Sequence, residues 1–430
     1  MIRSNIGKLA TLSTDVRQYL LITANYWAFT LTDGALRMLV VLHFHALGYS
    51  PLDIALLFIF YEIFGVVTNL LGGWLGARLG LNRTMNIGLV LQVVALGMLA
   101  VPTVWLTVPW VMGAQALSGI AKDLNKMSAK SAIKLLVPGD AQGKLYQWIA
   151  LLTGSKNTLK GVGFFLGGIL LTVFGFSQSV LIMAAGLLLV WIVSVFTLKK
   201  ALGKTTSKPK FREIFSKSSA VNILSAARLF LFAARDVWFV VAIPVFLGDQ
   251  LGWDHWTVAS FMASWVMGYG VIQTLAPYVT GKRAGVVPDG RAAVIWSVPL
   301  FLIPAVMAVL LSASMNTDMS TSINTGLEVS FANEWLAPLL IGGLMLFGAF
   351  FAVNSSLHSY LIVSYAKENG VSLDVGFYYM ANAIGRLIGT LLSGGVYQLY
   401  GLEACLWISS LFLLIACIIS LKLPRKKSSY

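Results

Sequence analysis

Acidic residues are scarce in this chain: 17 Asp and Glu stand against 31 Lys and Arg in 430 residues, and charged residues of all kinds make up 11%. Soluble domains carry about 25%, so the composition excludes an ordinary soluble globule. Cysteine is nearly missing as well. Cys405 and Cys417 fall in one late apolar stretch without CxxC spacing, which argues against a disulfide framework and against thiolate–metal chemistry. His43 and His45 stand one residue apart. No carboxylate or thiol lies close to them in sequence, so an interfacial role is expected and no metal. No paired-carboxylate or Ser/His constellation falls at one depth, so we expect neither an enzyme nor a cofactor. Residues 1–17 lack an apolar stretch followed by a cleavage site. The first helix is therefore expected to act as an uncleaved signal-anchor.

Apolar sequence is what the chain has in abundance. Hydrophobic residues make up 57% and mean hydropathy is +0.80. Long apolar runs recur from Gln18 to Leu423, the pattern of a polytopic membrane protein. Punctuation by Pro, Gly and charge divides them into twelve helices, at 18–47, 51–79, 84–104, 109–136, 147–174, 178–198, 219–247, 255–279, 292–313, 335–364, 376–399 and 402–423. With both termini cytoplasmic, twenty-one Lys and Arg fall in inner segments and none in outer ones. Cytoplasmic loops collect positive charge, so this orientation is expected, in a cell inner (plasma) membrane. Much of the net charge of +14 is thereby topological, and nucleic acid is not an expected partner.

The chain repeats. Leu47-Gly48-Tyr49 followed by Asp53-Ile54-Ala55 matches Leu251-Gly252-Trp253 followed by Thr257-Val258-Ala259, 204 residues on. Each copy joins the first two helices of a six-helix half. We therefore expect an N-terminal half at 1–198, a cytoplasmic basic linker at 199–217 and a C-terminal half at 218–430. Parallel repeats of this kind build one large class of transporters.

Ten basic residues lie in the interiors of the predicted helices, with Arg78 and Lys422 at inner ends set aside: Arg37, Lys122, Lys126, Lys130, Lys134, Lys156, Lys160, Arg228, Arg235 and Arg386. Four acids share those segments, Asp33, Glu62, Asp123 and Asp236, so six cations exceed them even if each acid takes one. A cation at the bilayer centre costs about 2.5 kcal/mol or more and so faces a partner or a wet cavity. The simplest account is a positive cavity built for an anion. The third, sixth, ninth and twelfth helices carry no interior charge.

Lys122, Lys126, Lys130 and Lys134 recur every four residues and form one helical stripe. Counted from Pro109 at the outer end, Lys122 lies roughly 20 Å down and Lys134 roughly 37 Å, in a core about 30 Å thick. Lys122 and Lys126 are thus inside, Lys130 is near the inner boundary, and Lys134 is expected to snorkel to headgroups. Asp123 is expected to pair with a neighbouring helix. Lys156 sits near the midplane of the fifth helix, with Lys160 one turn further out. In the second half, Arg228 and Arg235 face nearly one way, and Arg386 follows Asn382 by one turn. Arg forks bind oxyanions bidentately, while Lys gives a point charge. Asp33 and Arg37, at i and i+4, are expected to pair. Glu62 and Asp236 read either as proton carriers or as counter-charges. The polar run Asn354 to Tyr360, with His358, offers hydrogen bonds to a hydroxylated cargo or to itself.

Gly73-Trp74-Leu75-Gly76-Ala77-Arg78-Leu79-Gly80-Leu81-Asn82-Arg83 resembles the inner-loop gating motif of the major facilitator superfamily. Gly73, Arg78, Gly80 and Arg83 match it, and Ala77 stands where an Asp is usual. That resemblance implies an all-α fold of twelve transmembrane helices in two six-helix halves, with every third helix an outer support. Gly154, Gly163 and Gly167 partly match the glycine pattern of the superfamily's antiporters, although plain helix packing explains them too.

Longer stretches are more specific: Asn25 to Arg37, Ser118 to Lys130, Gly154-Ser155-Lys156-Asn157, Ser225 to Arg228 and Ala234 to Phe239. They resemble ArsJ-type organoarsenical efflux permeases, and the likeness runs along nearly the whole chain. The resemblance implies export of 1-arseno-3-phosphoglycerate, which gives arsenate resistance, with glyceraldehyde-3-phosphate dehydrogenase as the functional partner that makes the ester. Lys122, Lys126, Lys156 and Lys160 would hold one anionic end, and Arg228, Arg235 and Arg386 the other. Asp33, Arg37, Glu62, Asp123 and Asp236 are left as coupling or charge-pair residues. A monomer is expected. The rival readings are an organophosphate or phosphate exchanger of the same fold, a membrane enzyme or lipid-handling protein, and a receptor, for which this chain has no room for a signalling domain.

The topology makes a direct prediction. Alkaline phosphatase joined after residue 320 should be active, and the same reporter joined after residue 207 should be silent. The reverse pattern would invert the orientation.

Overall fold

The computed structural model describes residues 13–49, 54, 57–138, 141–198, 202–205, 218–281, 287–325 and 331–425. The side chains of His45, of His255, of residues 314–325 and of residues 331–336 are not described. Most of the linker 199–217, Asp53 of the repeat, Arg3, Lys8, Lys282, Arg283, Lys426 and Lys427 therefore lie outside the described residues, as do the side chains of the acidic loop 314–334.

Regular structure among the described residues is helical: α1 Thr14–Ala46, α2 Ile59–Leu79, α3 Leu81–Leu99 and α4 Val108–Leu136. A further element, Gln142–Thr197, breaks at Gly175 (φ 72°, ψ 179°) into α5, 142–174, and α6, 176–197. Then come α7 Ser219–Phe239, α8 Ala242–Asp249, α9 His255–Thr280, α10 Gly290–Thr325 and α11 Phe331–Tyr365. Last, Val371–Ser420 breaks at Gly401 (φ 74°, ψ −173°) into α12, 371–400, and α13, 402–420. These correspond to the twelve expected spans; most ends shift by a few residues, the ninth runs on to Thr325 instead of 313, and two spans differ in build. The third ends early, at Leu99, and Pro102 leads into a short 3₁₀ turn at Thr103–Trp105. The seventh is two helices. Pro244 has no N–H to give to residue 240 and crowds its carbonyl, and Ser393 Oγ accepts from Val241 N and Ala242 N at 3.2 Å each, meeting the freed donors.

Glycines with positive φ mark equivalent turns in both halves of the sequence: Gly48 (87°) with Gly252 (65°), Gly80 (96°) with Gly281 (149°), and Gly175 with Gly401. Only a residue without Cβ adopts this region at little cost. In the Leu-Gly-Tyr and Leu-Gly-Trp copies, Tyr49 N donates to Phe44 O and Trp253 N to Leu247 O, both at 3.1 Å. The repeat thus recurs in backbone geometry as well as in sequence.

Two compact units form. Unit 1 gathers residues 1–221 with 362–380, and unit 2 gathers 222–361 with 381–430. In unit 1, Phe29, Leu36 and Leu39 of α1 pack with Leu89 and Leu96 of α3 and with Phe176 and Val180 of α6. In unit 2, Trp238 and Trp265 meet edge to face at 6.3 Å between ring centres, and Phe347 and Phe351 stack at 5.6 Å. Small residues set the closest helix contacts. A Cβ on Gly163 would meet Leu31 O at 2.7 Å, and one on Gly34 would meet Lys160 O at 2.7 Å, so α1 and α5 touch backbone to backbone. Gly389 of α12 meets Ala233 O of α7 in the same way, at 2.6 Å. Packing is therefore the structural role of Gly163 and Gly167.

Large apolar side chains such as Ile169, Val173, Leu189, Phe196 and Leu391 stay exposed. On this scale, exposed apolar surface marks contact with lipid or a partner. Among the described residues seven elements, three of them made of two helices each, have the length and hydropathy to cross a membrane. α1, α3 and α4 fall outside that set.

Adding bulk at a backbone contact costs about 1–3 kcal/mol. Gly163→Val should therefore lower the melting temperature in detergent, while Gly168→Val, which meets open space, should not. Equal melting temperatures would contradict the close α1–α5 contact.

Candidate functional site

In unit 1 the charged side chains of α1, α2 and α4 form a chain of contacts. Asp33, buried on α1, accepts from Tyr61 Oη of α2 at 2.7 Å. Arg37 pairs with Glu62 at 3.5 Å instead, and it lies 5.0 Å from the Phe58 ring and 5.4 Å from the Tyr61 ring. The expected Asp33–Arg37 pair does not form. One helical turn of spacing permits such a pair, but α2 supplies a nearer partner to each member. Glu62 is thereby a counter-charge to Arg37.

Lys122 sits 3.7 Å from the centre of the same Tyr61 ring. Asp123 is 2% exposed; it takes Lys122 Nζ at 3.9 Å on one oxygen and the Lys126 ammonium on the other. Asp123 was expected to reach a neighbouring helix, and it serves its own helix instead. The i, i+3 spacing to Lys126 allows this, and α2 leaves space at Gly65, where a Cβ would meet Asp123 Oδ2 at 2.8 Å. The two lysines keep 15% and 12% of their side chains exposed. Two ammonium groups on one carboxylate leave this cluster positive. Lys156 and Lys160 lie further along α5, partly exposed, with Lys160 Nζ 6.0 Å from the Phe164 ring.

The inner half of the stripe behaves differently. Lys130 is buried and hydrogen-bonded to Tyr379 Oη. Lys134 donates to Ser364 O at 3.0 Å and to Ala366 O at 2.5 Å. It was expected at lipid headgroups. The unsatisfied carbonyls at the end of α11 attract it instead, as helix C-termini attract cations.

Unit 2 repeats the two-on-one arrangement. Asp236 is fully buried, with Arg235 at 2.5 Å on one oxygen and Arg386 Nε at 3.1 Å on the other. Its place between two guanidiniums makes it a counter-charge. Arg228 donates through Nε to Asn382 Oδ1 at 2.9 Å and through Nη1 to Ser355 O and Oγ at 3.2 and 3.0 Å. Both Arg228 and Arg235 lie against the Phe232 ring, at 3.9 and 4.8 Å. Gln273 Nε2 donates to Ser355 Oγ at 3.1 Å, and Asn354 Nδ2 to Ser297 Oγ at 2.8 Å. The polar run on α11 is thus tied to its own unit. His43 stacks on Phe176 at 4.1 Å, and no group of three metal-ligating side chains occurs among the described residues.

At the inner-loop motif, Gly80 ends α2 by donating to Gly76 O at 3.0 Å. Arg78 lies 5.0 Å from the Trp74 ring, and both Arg78 and Arg83 are exposed. Gly73 abuts residues 372–376, and Ser372 Oγ donates to Gly73 O at 2.7 Å. Ala77, where an acid is usual, instead offers its carbonyl to Thr205 N and Oγ1 at 3.0 and 3.1 Å.

The Major Facilitator Superfamily profile matches residues 19–332 and 325–430. The chain belongs to the major facilitator superfamily. It is accordingly a multi-pass membrane transporter of a small solute, and not an enzyme. Solved structures agree on the fold. The human organic anion transporter TETRAN has a TM-score of 0.71 at 15% identity, covering 95% of this chain and 100% of that one. A bacterial homologue of the iron transporter ferroportin in an outward-facing state has 0.70 at 15%, covering 95% and 99%. The E. coli fucose:proton symporter FucP has 0.69 at 11%, covering 96% and 100%. No curated protein matches the transporter at the same stringency.

Sequence reasoning missed Tyr61 and Tyr379, while Ser355 lay within the polar run it singled out. Tyr61 neighbours Glu62 and could have been suspected as an aromatic beside an intramembrane charge. Tyr379 carries no local signal, because its partner Lys130 is 249 residues away.

Removing one partner from a buried ion pair costs about 3–5 kcal/mol. Asp236→Asn should therefore lower the melting temperature more than Arg386→Gln does, because it strands two guanidiniums rather than one carboxylate that keeps a partner. Equal losses would contradict the shared arrangement, and no loss in Arg386→Gln would mean that Arg235 alone holds Asp236.

Proposed function

We propose that this transporter exports an organoarsenical oxyanion, 1-arseno-3-phosphoglycerate, by alternating access across a cell inner membrane with both termini cytoplasmic, and so gives arsenate resistance. The observation that carries this reading is the cation excess on the interior helices. Away from the helix ends, seven bases stand against three acids in unit 1 (Arg37, Lys122, Lys126, Lys130, Lys134, Lys156 and Lys160 against Asp33, Glu62 and Asp123), and three bases against Asp236 in unit 2. An anion compensates such charge where water is thin, since unpaired charge is costly there.

In this reading Lys122, Lys126, Lys156 and Lys160 take one acidic group of the cargo, and Arg228, Arg235 and Arg386 take the other. The cargo carries a phosphate and an arsenate, one for each set. Arsenate esters are oxyanions, so cations and hydrogen-bond donors suit them and thiols are not needed. Cys405 and Cys417, both buried, fit that chemistry by standing aside. The dehydrogenase supplies the ester and need not touch the transporter. The ArsJ-like stretches quoted above support the specific cargo, and the charge argument supports the anionic class.

Everted membrane vesicles test this. They are energised and given labelled arsenate with glyceraldehyde-3-phosphate dehydrogenase, its aldehyde substrate and NAD. Label should accumulate only when every component is present. Lys126→Gln or Arg386→Gln should cut uptake by about tenfold or more, the cost of losing a charge-assisted contact, at unchanged abundance. Uptake of phosphate or 3-phosphoglycerate without any arsenate requirement would replace this cargo with an organophosphate.

A further inference from the structure

The four lysines of α4 form one stripe in sequence and two groups in space. Lys122 and Lys126 share Asp123, whereas Lys130 and Lys134 hold residues 362–380, a segment that folds into unit 1 from far along the chain. Lys126 belongs to both groups. Its ammonium binds Asp123 and also lies 4.7 Å from the centre of the Tyr379 ring, while Lys130 Nζ lies 4.9 Å from that ring and bonds its hydroxyl. Tyr379 is itself 3% exposed. Its ring therefore sits where the positive stripe passes from the cargo-binding lysines to the segment-holding ones.

We propose that Tyr379 is a resident stand-in for the anion: its ring and hydroxyl engage Lys126 and Lys130, and an oxyanion arriving at Lys126 displaces it and frees residues 362–380 from α4. The inference rests on the cargo-binding role given above to Lys126. An ionised oxygen is a stronger partner for an ammonium than a phenol or the face of a ring. The ligand therefore has a differential affinity for the state in which Lys126 has left Tyr379, and this is what a population shift requires.

The rest of the segment is built to be held reversibly. Its other polar ties include the Lys134 contacts to Ser364 O and Ala366 O, the hydrogen bond from Ser364 Oγ to Gln142 Oε1 at 3.4 Å and the Ser372–Gly73 hydrogen bond. Gly376 lies flush on α2, where a Cβ would meet Asn69 O at 2.6 Å. A flush glycine contact permits separation without disentangling side chains. At the position where an acid usually serves the inner-loop motif, Ala77 holds Thr205, so the lysines of α4 supply the charged part of this clasp.

The test reads the exposure of residue 366. Ala366 is 4% exposed and small, so Ala366→Cys, in a Cys405→Ser, Cys417→Ser background, reports release by its rate of reaction with a water-soluble maleimide. The full-length protein in detergent is labelled with no added anion, with 3-phosphoglycerate, with phosphate, and with chloride at matched ionic strength. Lys130→Gln should label about tenfold faster without any anion, the loss expected for one charge-assisted hydrogen bond. Tyr379→Phe, which keeps the ring and the fold, should fall between Lys130→Gln and the parent.

3-Phosphoglycerate should speed labelling of the parent and have no effect on Lys126→Gln. Parent-like rates in both Lys130→Gln and Tyr379→Phe would overturn the clasp. Fast variants together with a parent that ignores both 3-phosphoglycerate and phosphate would overturn the sharing of Lys126. Failure of the cargo assignment shows separately, in the vesicle assay, as uptake without arsenate.

Discussion

The intramembrane charges of this transporter answer to one constraint: a cation held away from water needs a partner, and the helix interiors carry too few acids to supply one each. The solution appears twice. Asp123 is shared by Lys122 and Lys126, and Asp236 by Arg235 and Arg386. One buried carboxylate anchors two cations, which fixes their positions and leaves each cluster positive. Aromatic rings supply the next share. Tyr61, Tyr379 and Phe232 present faces to Lys122, Lys126 and Lys130, and to Arg228 and Arg235. A ring lowers the cost of a buried cation by about 0.5–2 kcal/mol, less than a carboxylate does.

The scaffold that positions them depends on places where a side chain is missing. Gly34 and Gly163 let α1 and α5 meet at backbone distance, and Gly389 does the same for α12 on α7. Interhelical packing in lipid gains little from hydrophobicity and much from close approach. The positive-φ pairs Gly48 with Gly252 and Gly175 with Gly401 turn the chain at matching points of its two halves. Duplication is therefore most visible in backbone turns, where only glycine fits, and faint in the side chains, which diverged to serve different charges.

Much of the fold was legible beforehand because its signals are local. Apolar runs of bilayer length, broken by Gly175 and Gly401, are readable without knowing any neighbour. Which residues carry charge in the spans was readable for the same reason. Pairing was not. Asp33 and Arg37 are well spaced for each other, yet each goes to a residue of α2. Lys134 was placed at lipid by its depth alone, and it caps carbonyls that belong to a segment 230 residues away. Periodicity reports the face a residue occupies, and it carries no information about what another helix brings to that face.

The sequence by itself determined the class of protein, the number of spans, the excess of positive charge and the positions where glycine must turn the chain. These follow from composition, hydropathy and backbone sterics, which act residue by residue. Tertiary structure alone decided which cations share an acid, which rest on an aromatic ring, and that the lysine stripe of α4 divides between a candidate anion site and the 362–380 segment. Those outcomes depend on distances of a few ångströms between helices far apart in sequence, and at that range the energy of a charge in a poorly solvated interior is set.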